Sequence, residues 1–213
     1  MKIASEIREQ FMARGLERSE LKLDPISQFS AWYEDACSSN IHEPGAMSLA
    51  TVNEYGQPFQ RTVLLKLFDQ QGFVFFTNYE SRKAQQMASN NRVCLLFPWQ
   101  SLGRQVMVAG QVEKISTAES LKYFVTRPRG SQLGAWASGQ SEMISSRSIL
   151  DTMVDSMKKK FENKEVPLPP FWGGYRVIPE TIEFWQEQAS RLHDRFLFER
   201  NEDGQWANER LSP

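Results

Sequence analysis

Met47-Ser48-Leu49-Ala50-Thr51-Val52 alternates apolar and small polar residues. Asn53-Glu54-Tyr55-Gly56 follows it, then the apolar-rich run 59–68, Asp69-Gln70-Gln71-Gly72, and a further run 73–77. A period of two is the mark of a strand with one buried face. Asn, Asp and Gly between two such runs are turn residues, because they tolerate the backbone angles that a reversal needs. The stretch from about Ala46 to Thr77 therefore reads as three strands joined by short turns. Strands joined this closely are antiparallel neighbours.

Working outward, Ser81 is positioned to cap a short helix running to about Asn90. Runs 93–97 and 104–115 read as further strands. Thr117 is a candidate cap for a helix with Glu119 in its first turn, where the helix dipole favours a carboxylate. That helix carries Tyr123 and Arg127 and meets Pro128. A long amphipathic helix is expected over about 145–163. Val166-Pro167-Leu168-Pro169-Pro170 is a stiff extended connector, and Gly173-Gly174 precedes strands at 175–178, 182–186 and 191–200. Upstream, Asp24-Pro25 is a helix start, a cap followed by a first-turn proline. Phe29, Trp32, Tyr33 and Ala36 follow it at helical spacing. Residues 1–23 are charged, helix-permissive and poor in core pattern, which suggests a mobile arm before one domain at 24–213. Hairpins at short spacing with a few helices predict a mainly β, antiparallel barrel with peripheral helices. No Gly-x-Gly-x-x-Gly follows a strand, which disfavours a dinucleotide-binding α/β fold.

The 213 residues suit one domain or a core with an appendage. Apolar residues make up 40% and charged residues 24%, the mix of a folded soluble chain. The net charge of −1 argues against a general nucleic-acid or acidic-membrane binder, so any basic site is local. Two cysteines, Cys37 and Cys94, cannot make a disulfide framework. Cys94 lies in an apolar run and reads as a buried thiol. The start lacks the apolar core of a signal peptide, and no apolar run approaches the roughly 18 residues of a membrane span. The cytoplasm is the default expectation. With only His42 and His193 and no paired Cys spacing, no metal site is expected.

The cations are the features that could carry chemistry. As a strand, Arg191-Leu192-His193-Asp194-Arg195 puts Arg191, His193 and Arg195 on one face and Asp194 on the other. Such a face is costly unless something anionic or electron-rich lies against it; a solvated face with Glu183 or Glu187 as neighbours is the plain alternative. Arg61-Thr62-Val63-Leu64-Leu65-Lys66 has cations flanking an apolar centre. On an unbroken strand Arg61 and Lys66 face opposite sides, serving two sites or snorkelling to solvent. Ser81-Arg82-Lys83 opens a helix, where free backbone N–H groups and two cations make either a phosphate cradle or a solvated first turn. Tyr123 and Arg127 share a helix face one turn apart, and Ser131 follows Pro128. Phenol, guanidinium and hydroxyl at a helix-to-loop junction suit a phosphate monoester, with a surface Tyr–Arg stack as the competing account. Gln105 is a candidate buried amide, satisfied either by backbone or by a heteroatom-rich ligand such as a flavin.

Taken in order, these pieces resemble the pyridoxine (pyridoxamine) 5′-phosphate oxidase family. The C-terminal run Ile182-Glu183-Phe184-Trp185 with Arg191-Leu192-His193-Asp194-Arg195 is similar to the family's signature. Arg61 to Lys66, Ser81-Arg82-Lys83, Arg104-Gln105-Val106, Tyr123 with Arg127-Pro128-Arg129, Gln140-Ser141 and Phe171-Trp172-Gly173-Gly174 extend the likeness from about residue 20 to Pro213. The resemblance implies a homodimeric, FMN-binding split β-barrel that oxidises pyridoxamine 5′-phosphate or pyridoxine 5′-phosphate to pyridoxal 5′-phosphate. Dioxygen is the electron acceptor and hydrogen peroxide a product. By matching positions it implies FMN contacts from Arg61, Thr62, Val63, Leu64, Leu65, Lys66, Phe76, Thr77, Arg82, Lys83, Gln105, Gln140, Ser141, Trp185 and Arg195. Lys66, Tyr123, Arg127 and Ser131 would hold the substrate phosphate. Arg191 and His193 would lie over the reacting pyridine as the catalytic pair, and the flavin would sit between two subunits. Two places depart from the family's usual pattern: Phe76 stands where tyrosine is common, and Arg8-Glu9-Gln10-Phe11 replaces a more arginine-rich arm. The alternatives are a non-catalytic flavin- or haem-binding split barrel, a stress-related relative with a degraded site, and a ligand-free structural barrel. The joint presence of Arg191, His193, Tyr123 and Arg127 favours the enzyme.

Overall fold

The computed structural model describes residues 4–213. Nine strands form one antiparallel sheet: β1 Ala46–Val52, β2 Pro58–Leu64, β3 Leu67–Asp69, β4 Gly72–Asn78, β5 Arg92–Trp99, β6 Arg104–Lys114, β7 Trp172–Gln186, β8 Asp194–Arg200 and β9 Trp206–Leu211. The strand order is β2-β1-β5-β6-β7-β4-β3, with β8 on β7 and β9 on β8. The two ends of this path, β2 and β3, are consecutive in the chain and are joined by only Leu65 and Lys66. The sheet therefore curls back towards itself without closing. At that seam Leu65 N–H donates to the Gly45 carbonyl (2.8 Å) and Lys66 N–H to the Val74 carbonyl (2.9 Å). The strand expected over 59–68 is thus broken at Leu65–Lys66, and Lys66 stands at the corner.

β7 is the spine. One edge pairs with β6 over Tyr175–Gln186; the other pairs with β4 over Trp172–Val177 and with β8 over Thr181–Gln186. The two strands expected at 175–178 and 182–186 are one. Pro179 argues against a continuous strand, but it sits where the β6–β7 register shifts, opposite Gly110. A bulge is the place where a proline's missing N–H does no harm. Gly110 is required there: a Cβ on it would lie 2.0 Å from the Ile178 carbonyl oxygen. The last strand, β9, was not anticipated.

Six helices surround the sheet: α1 Ala4–Arg14, α2 Pro25–Ser38, α3 Arg82–Ser89, α4 Thr117–Phe124, α5 Arg129–Ala137 and α6 Arg147–Lys160. Asp24 caps α2 as expected, accepting from Ser27 N–H. The α2 stripe then buries Phe29, Trp32 and Ala36. Phe29 is fully buried among Phe73, Phe97 and Phe68, at centroid distances of 4.8, 4.9 and 5.1 Å. Each such ring contributes about 1.5–3 kcal/mol by burial. The cap of α4 lies one residue before the expected Thr117: Ser116 is the cap, in a reciprocal capping box with Glu119, and Thr117 is the first helical residue. α5 was missed outright, so Ser131 lies in a helical first turn and not in a loop. A second, smaller core of Phe124, Leu133, Phe161, Val166 and Trp172 lies under α4, α5 and α6.

The described part of the segment read as an arm, from residue 4 on, is in contact with the body; residues 1–3 lie outside the described residues. Phe11 packs on the main core and Leu16 is buried in it. Arg8 makes a bidentate pair with Glu187 at 2.7 and 2.8 Å. Leu16 N–H donates to the Asp194 carboxylate (3.0 Å), which also accepts from Arg210 (2.6 Å). Cys37 is exposed and Cys94 half-buried; both are free thiols. Among the described residues no helix is long and apolar enough to cross a membrane.

Candidate active site

A cavity of about 440 Å³ opens at the β2–β3 corner, within the range of small-ligand sites. Its wall comes from β2 (Thr62, Val63, Leu64), the corner (Lys66), β4 (Phe76, Thr77, Asn78), α3 (Lys83), α4 and the turn after it (Tyr123, Arg127), α5 (Ser131, Gly134, Ala135), the loop beyond (Ser138, Gln140), and Trp172 at the start of β7. Three cations line it and no carboxylate does. Eleven of the residues expected from the sequence meet here. Asn78 and Trp172 were not anticipated as wall residues; the Gly-Gly after Trp172 was the available signal, since glycines mark close approach of backbone.

The cations are held without being neutralised. Lys83 Nζ donates to Gln140 Oε1 (2.9 Å), Thr77 Oγ1 (3.2 Å) and Ser81 Oγ (3.3 Å). Burial first, and then the neighbouring Arg61, lowers its pKa to about 8. Arg127 lies over the Trp172 ring, its guanidinium carbon 4.6 Å from the centroid. Its Nη1 is buried with no hydrogen-bond partner among the described residues. A buried donor left without a partner costs about 1–3 kcal/mol, more when charged, and is explained by a ligand. Tyr123 stacks face to face on Phe76 at 4.0 Å. Its phenol is pushed to higher pKa by burial and pulled back by Arg127, so it stays a neutral donor.

The other expected residues lie elsewhere in the chain. Arg61 turns its guanidinium onto the Leu49 carbonyl (2.9 Å), Thr51 Oγ1 (2.7 Å) and Gln86 Oε1 (3.0 Å), and does not line the cavity. It touches the site through its charge on Lys83. Leu65 is buried in the main core. Arg82 borders a separate surface hollow, and its backbone N–H donates to Ser141 Oγ (3.2 Å). Gln105, Trp185 and Arg195 are register partners across β6, β7 and β8. Gln105 and Trp185 line a second cavity of about 410 Å³, which the Arg8–Glu187 pair borders.

The expected strand 191–200 begins only at Asp194, so Arg191, His193 and Arg195 do not share one strand face. Ser190 and Arg191 both take left-handed backbone angles, φ 57° and 61°. Non-glycine residues pay for that conformation and concentrate at functional sites. The turn is closed by Gln188 N–H donating to His193 Nδ1 (3.2 Å). A neutral imidazole accepting at Nδ1 carries its proton on Nε2, so His193 presents an N–H to its surroundings. Its ring packs on Trp185 at 4.6 Å. Arg191 is exposed. Arg195 makes a bidentate pair with Glu183 (2.8 and 3.1 Å), as the plain alternative for this stretch allowed.

Comparison with known proteins gives the arrangement a family. The family model described as pyridoxamine 5′-phosphate oxidase matches residues 33–161. The one described as pyridoxine 5′-phosphate oxidase C-terminal dimerisation region matches residues 172–213. A pyridoxine/pyridoxamine 5′-phosphate oxidase of Rippkaea orientalis is 56% identical over 207 residues, 97% of this chain and 98% of the relative. The protein of that name from Escherichia coli is 52% identical over 209 residues, 98% and 95% of the two chains. Among solved structures, PhzG from Burkholderia lata, in complex with tetrahydrophenazine-1-carboxylic acid, superposes with a TM-score of 0.87 at 28% identity, covering 93% of this chain and 98% of its own. A pyridoxamine 5′-phosphate oxidase-related, FMN-binding protein of Nostoc punctiforme shares the fold at a TM-score of 0.70 and 18% identity, over 91% and 100% of the two chains. Matches of this extent and identity make the chain a member of the pyridoxamine 5′-phosphate oxidase family, with its split-barrel fold.

Proposed function

We propose that this chain is an FMN-dependent oxidase acting on pyridoxamine 5′-phosphate or pyridoxine 5′-phosphate and releasing pyridoxal 5′-phosphate, with dioxygen as acceptor and hydrogen peroxide as product; from the amine, water supplies the carbonyl oxygen and ammonia leaves. The cytoplasm is its proposed location and a homodimer its working form. The observation that carries the reading is a cavity with three cations, no carboxylate, and a buried Arg127 donor without a partner. Two phosphate groups, one on the cofactor and one on the substrate, account for charge that the chain leaves unbalanced.

FMN, when bound, would supply the two-electron acceptor for the hydride leaving the substrate's C4′ carbon, with dioxygen as the final acceptor. The chain's task is binding, orientation and proton handling. Lys83, with Thr77 and Gln140 bonded to it, forms one anion site; Arg61 stands behind it and Arg82 and Ser141 flank the helix entrance. The strand residues Thr62 to Leu64 and Phe76 form the wall for the ring system. Lys66, Tyr123, Arg127 and Ser131 form the second anion site, for the substrate phosphate. Gln105, Trp185, Arg195, Arg191 and His193 line other surfaces of the same chain. In the proposed dimer they complete the partner's cavity, which fits a C-terminal region described as dimerising. Arg191 and His193 then lie against the substrate, and His193 would offer Nε2–H to the C4′ oxygen as that oxygen gives up its proton to solvent and the carbonyl forms.

The test is direct. Purified protein supplied with FMN is expected to be yellow, to release peroxide with pyridoxine 5′-phosphate, and to melt higher with added FMN. A hundredfold excess over Kd adds about 2.7 kcal/mol to stability. A colourless protein whose melting ignores FMN would refute the cofactor.

Lys83 adds a pH signature. Its pKa of about 8 lies below the ordinary lysine value, so without a ligand its charge costs stability below pH 8, and the cost fades as pH rises towards the unfolded value. A bound phosphate raises this pKa, so binding takes up a proton where the free site has lost one. FMN affinity is therefore expected to be flat below about pH 8 and to weaken above it, by up to about tenfold per pH unit. Titrations across that range measure it, and Lys83→Gln should flatten the profile. A steep fall that survives in the variant would take Lys83 out of the cofactor site.

A further inference from the structure

Trp172 was absent from the residues expected to bind anything. Three observations give it a role. Its ring, 7% exposed, borders the cavity. It lies parallel to Phe76, with centroids 5.3 Å apart and planes 12° apart. Tyr123 stacks on Phe76 at 4.0 Å and is 6.4 Å from Trp172. Phe76, Tyr123 and Trp172 thus form one stack of near-parallel, offset rings, and the Arg127 guanidinium lies over the Trp172 ring at 4.6 Å.

Trp172 is itself held in place. Trp172 N–H donates to the Pro169 carbonyl (3.1 Å), and its ring meets Phe124 edge-on at 5.3 Å. The next residue, Gly173, approaches Tyr79 so closely that a Cβ would sit 2.1 Å from the phenol oxygen. Among the described residues Arg127 has no carboxylate partner, and one of its N–H groups is buried without any partner. A tryptophan face is the best neutral support for such a cation, because its π-electrons attract the charge while leaving every N–H free to donate. A carboxylate in its place would use up the donors.

We infer that Trp172 is a positioning residue for the substrate phosphate: it holds Arg127 as a planar, undischarged cation beside Tyr123. This rests on the proposal that Arg127 binds that phosphate. It predicts a dependence on the ring's π-character that passes through Arg127 alone.

The experiment is a double-mutant cycle on the FMN-loaded protein, reading KM and kcat for pyridoxine 5′-phosphate and the equilibrium affinity for pyridoxal 5′-phosphate. Trp172→Leu is expected to raise KM and weaken product binding by roughly three- to thirtyfold, with a smaller fall in kcat. Trp172→Phe should recover part of the loss. In an Arg127→Ala background, Trp172→Leu should add little. An equal loss from Trp172→Leu with and without Arg127 would overturn the inference, as would full affinity in the leucine variant. Arg127→Ala with unchanged KM would instead refute the phosphate reading itself, which separates the two failures. If the leucine variant does not fold, as its melting curve will reveal, Trp172→Phe in both backgrounds decides the same question.

Discussion

Arg127→Ala is expected to lower kcat/KM for pyridoxine 5′-phosphate by about 10- to 150-fold. Each hydrogen bond to a charged group is worth roughly 1.5–3 kcal/mol, and about 1.4 kcal/mol is a factor of ten. The structure sharpens the reason. In the folded chain Nη1 of Arg127 is buried without a partner, and burial lowers the guanidinium's pKa while Tyr123 raises it again. The desolvation cost is thus already met in the unliganded site, and a dianionic phosphate recovers it on binding. Lys66 and Ser131 border the same cavity and Tyr123 is next to Arg127, so the loss of one donor is partial. Free pyridoxine has no phosphate to lose, and for it the same substitution should change kcat/KM by less than about threefold. Measuring both substrates on both proteins gives a double difference. Equal losses on the two would assign Arg127 to the fold, where its contacts with Trp172 and Phe124 would be its function.

Much of this site was legible because it is built from local pairs. Tyr123 is in the last turn of α4 and Arg127 in the turn after it, not on one helix face as expected, yet they are four residues apart in the chain, and Thr62 to Lys66 and Phe76 to Lys83 are contiguous runs, so their proximity needs no tertiary information. The wrong boundaries have physical causes. α5 contains Gly130 and Gly134, which lower helix propensity by about 1 kcal/mol each; it forms because Leu133 and Ala137 are buried. The break at Leu65–Lys66 carries no glycine or proline, and the curl of the whole sheet sets it. The left-handed pair Ser190–Arg191 is likewise invisible in sequence, since nothing but the closed turn holds two non-glycine residues there. Trp172 could be placed on the cavity wall only after β4 and β7 were paired, which puts it opposite Asn78. Local pattern thus gave the parts of the site, while the sheet's topology decided which of them share one cavity.

That same turn makes the second large effect. His193→Asn is expected to reduce turnover by about a hundredfold, what a lost hydrogen bond to a group that becomes charged is worth, while the protein stays yellow. Asparagine is the informative replacement. Its side-chain oxygen can stand where Nδ1 stands and accept from Gln188 N–H, keeping the turn closed. What it cannot supply is a donor at the position of Nε2. Since Nδ1 is already engaged, Nε2–H is the group that the neutral ring offers to the substrate, which makes His193 a donor to the C4′ substituent in that state. Ser190 and Arg191 hold strained angles that set this direction, so His193→Ala should do more damage than Asn: it loses the donor and opens the turn that positions Arg191. The ordering of turnover, wild type above Asn above Ala, with the flavin absorbance alike in all three, distinguishes the donor from the latch. Saturating pyridoxine 5′-phosphate must be used, so that the comparison reads kcat. Turnover in the asparagine variant equal to wild type would leave His193 as a latch for the turn and take its Nε2–H out of the reaction.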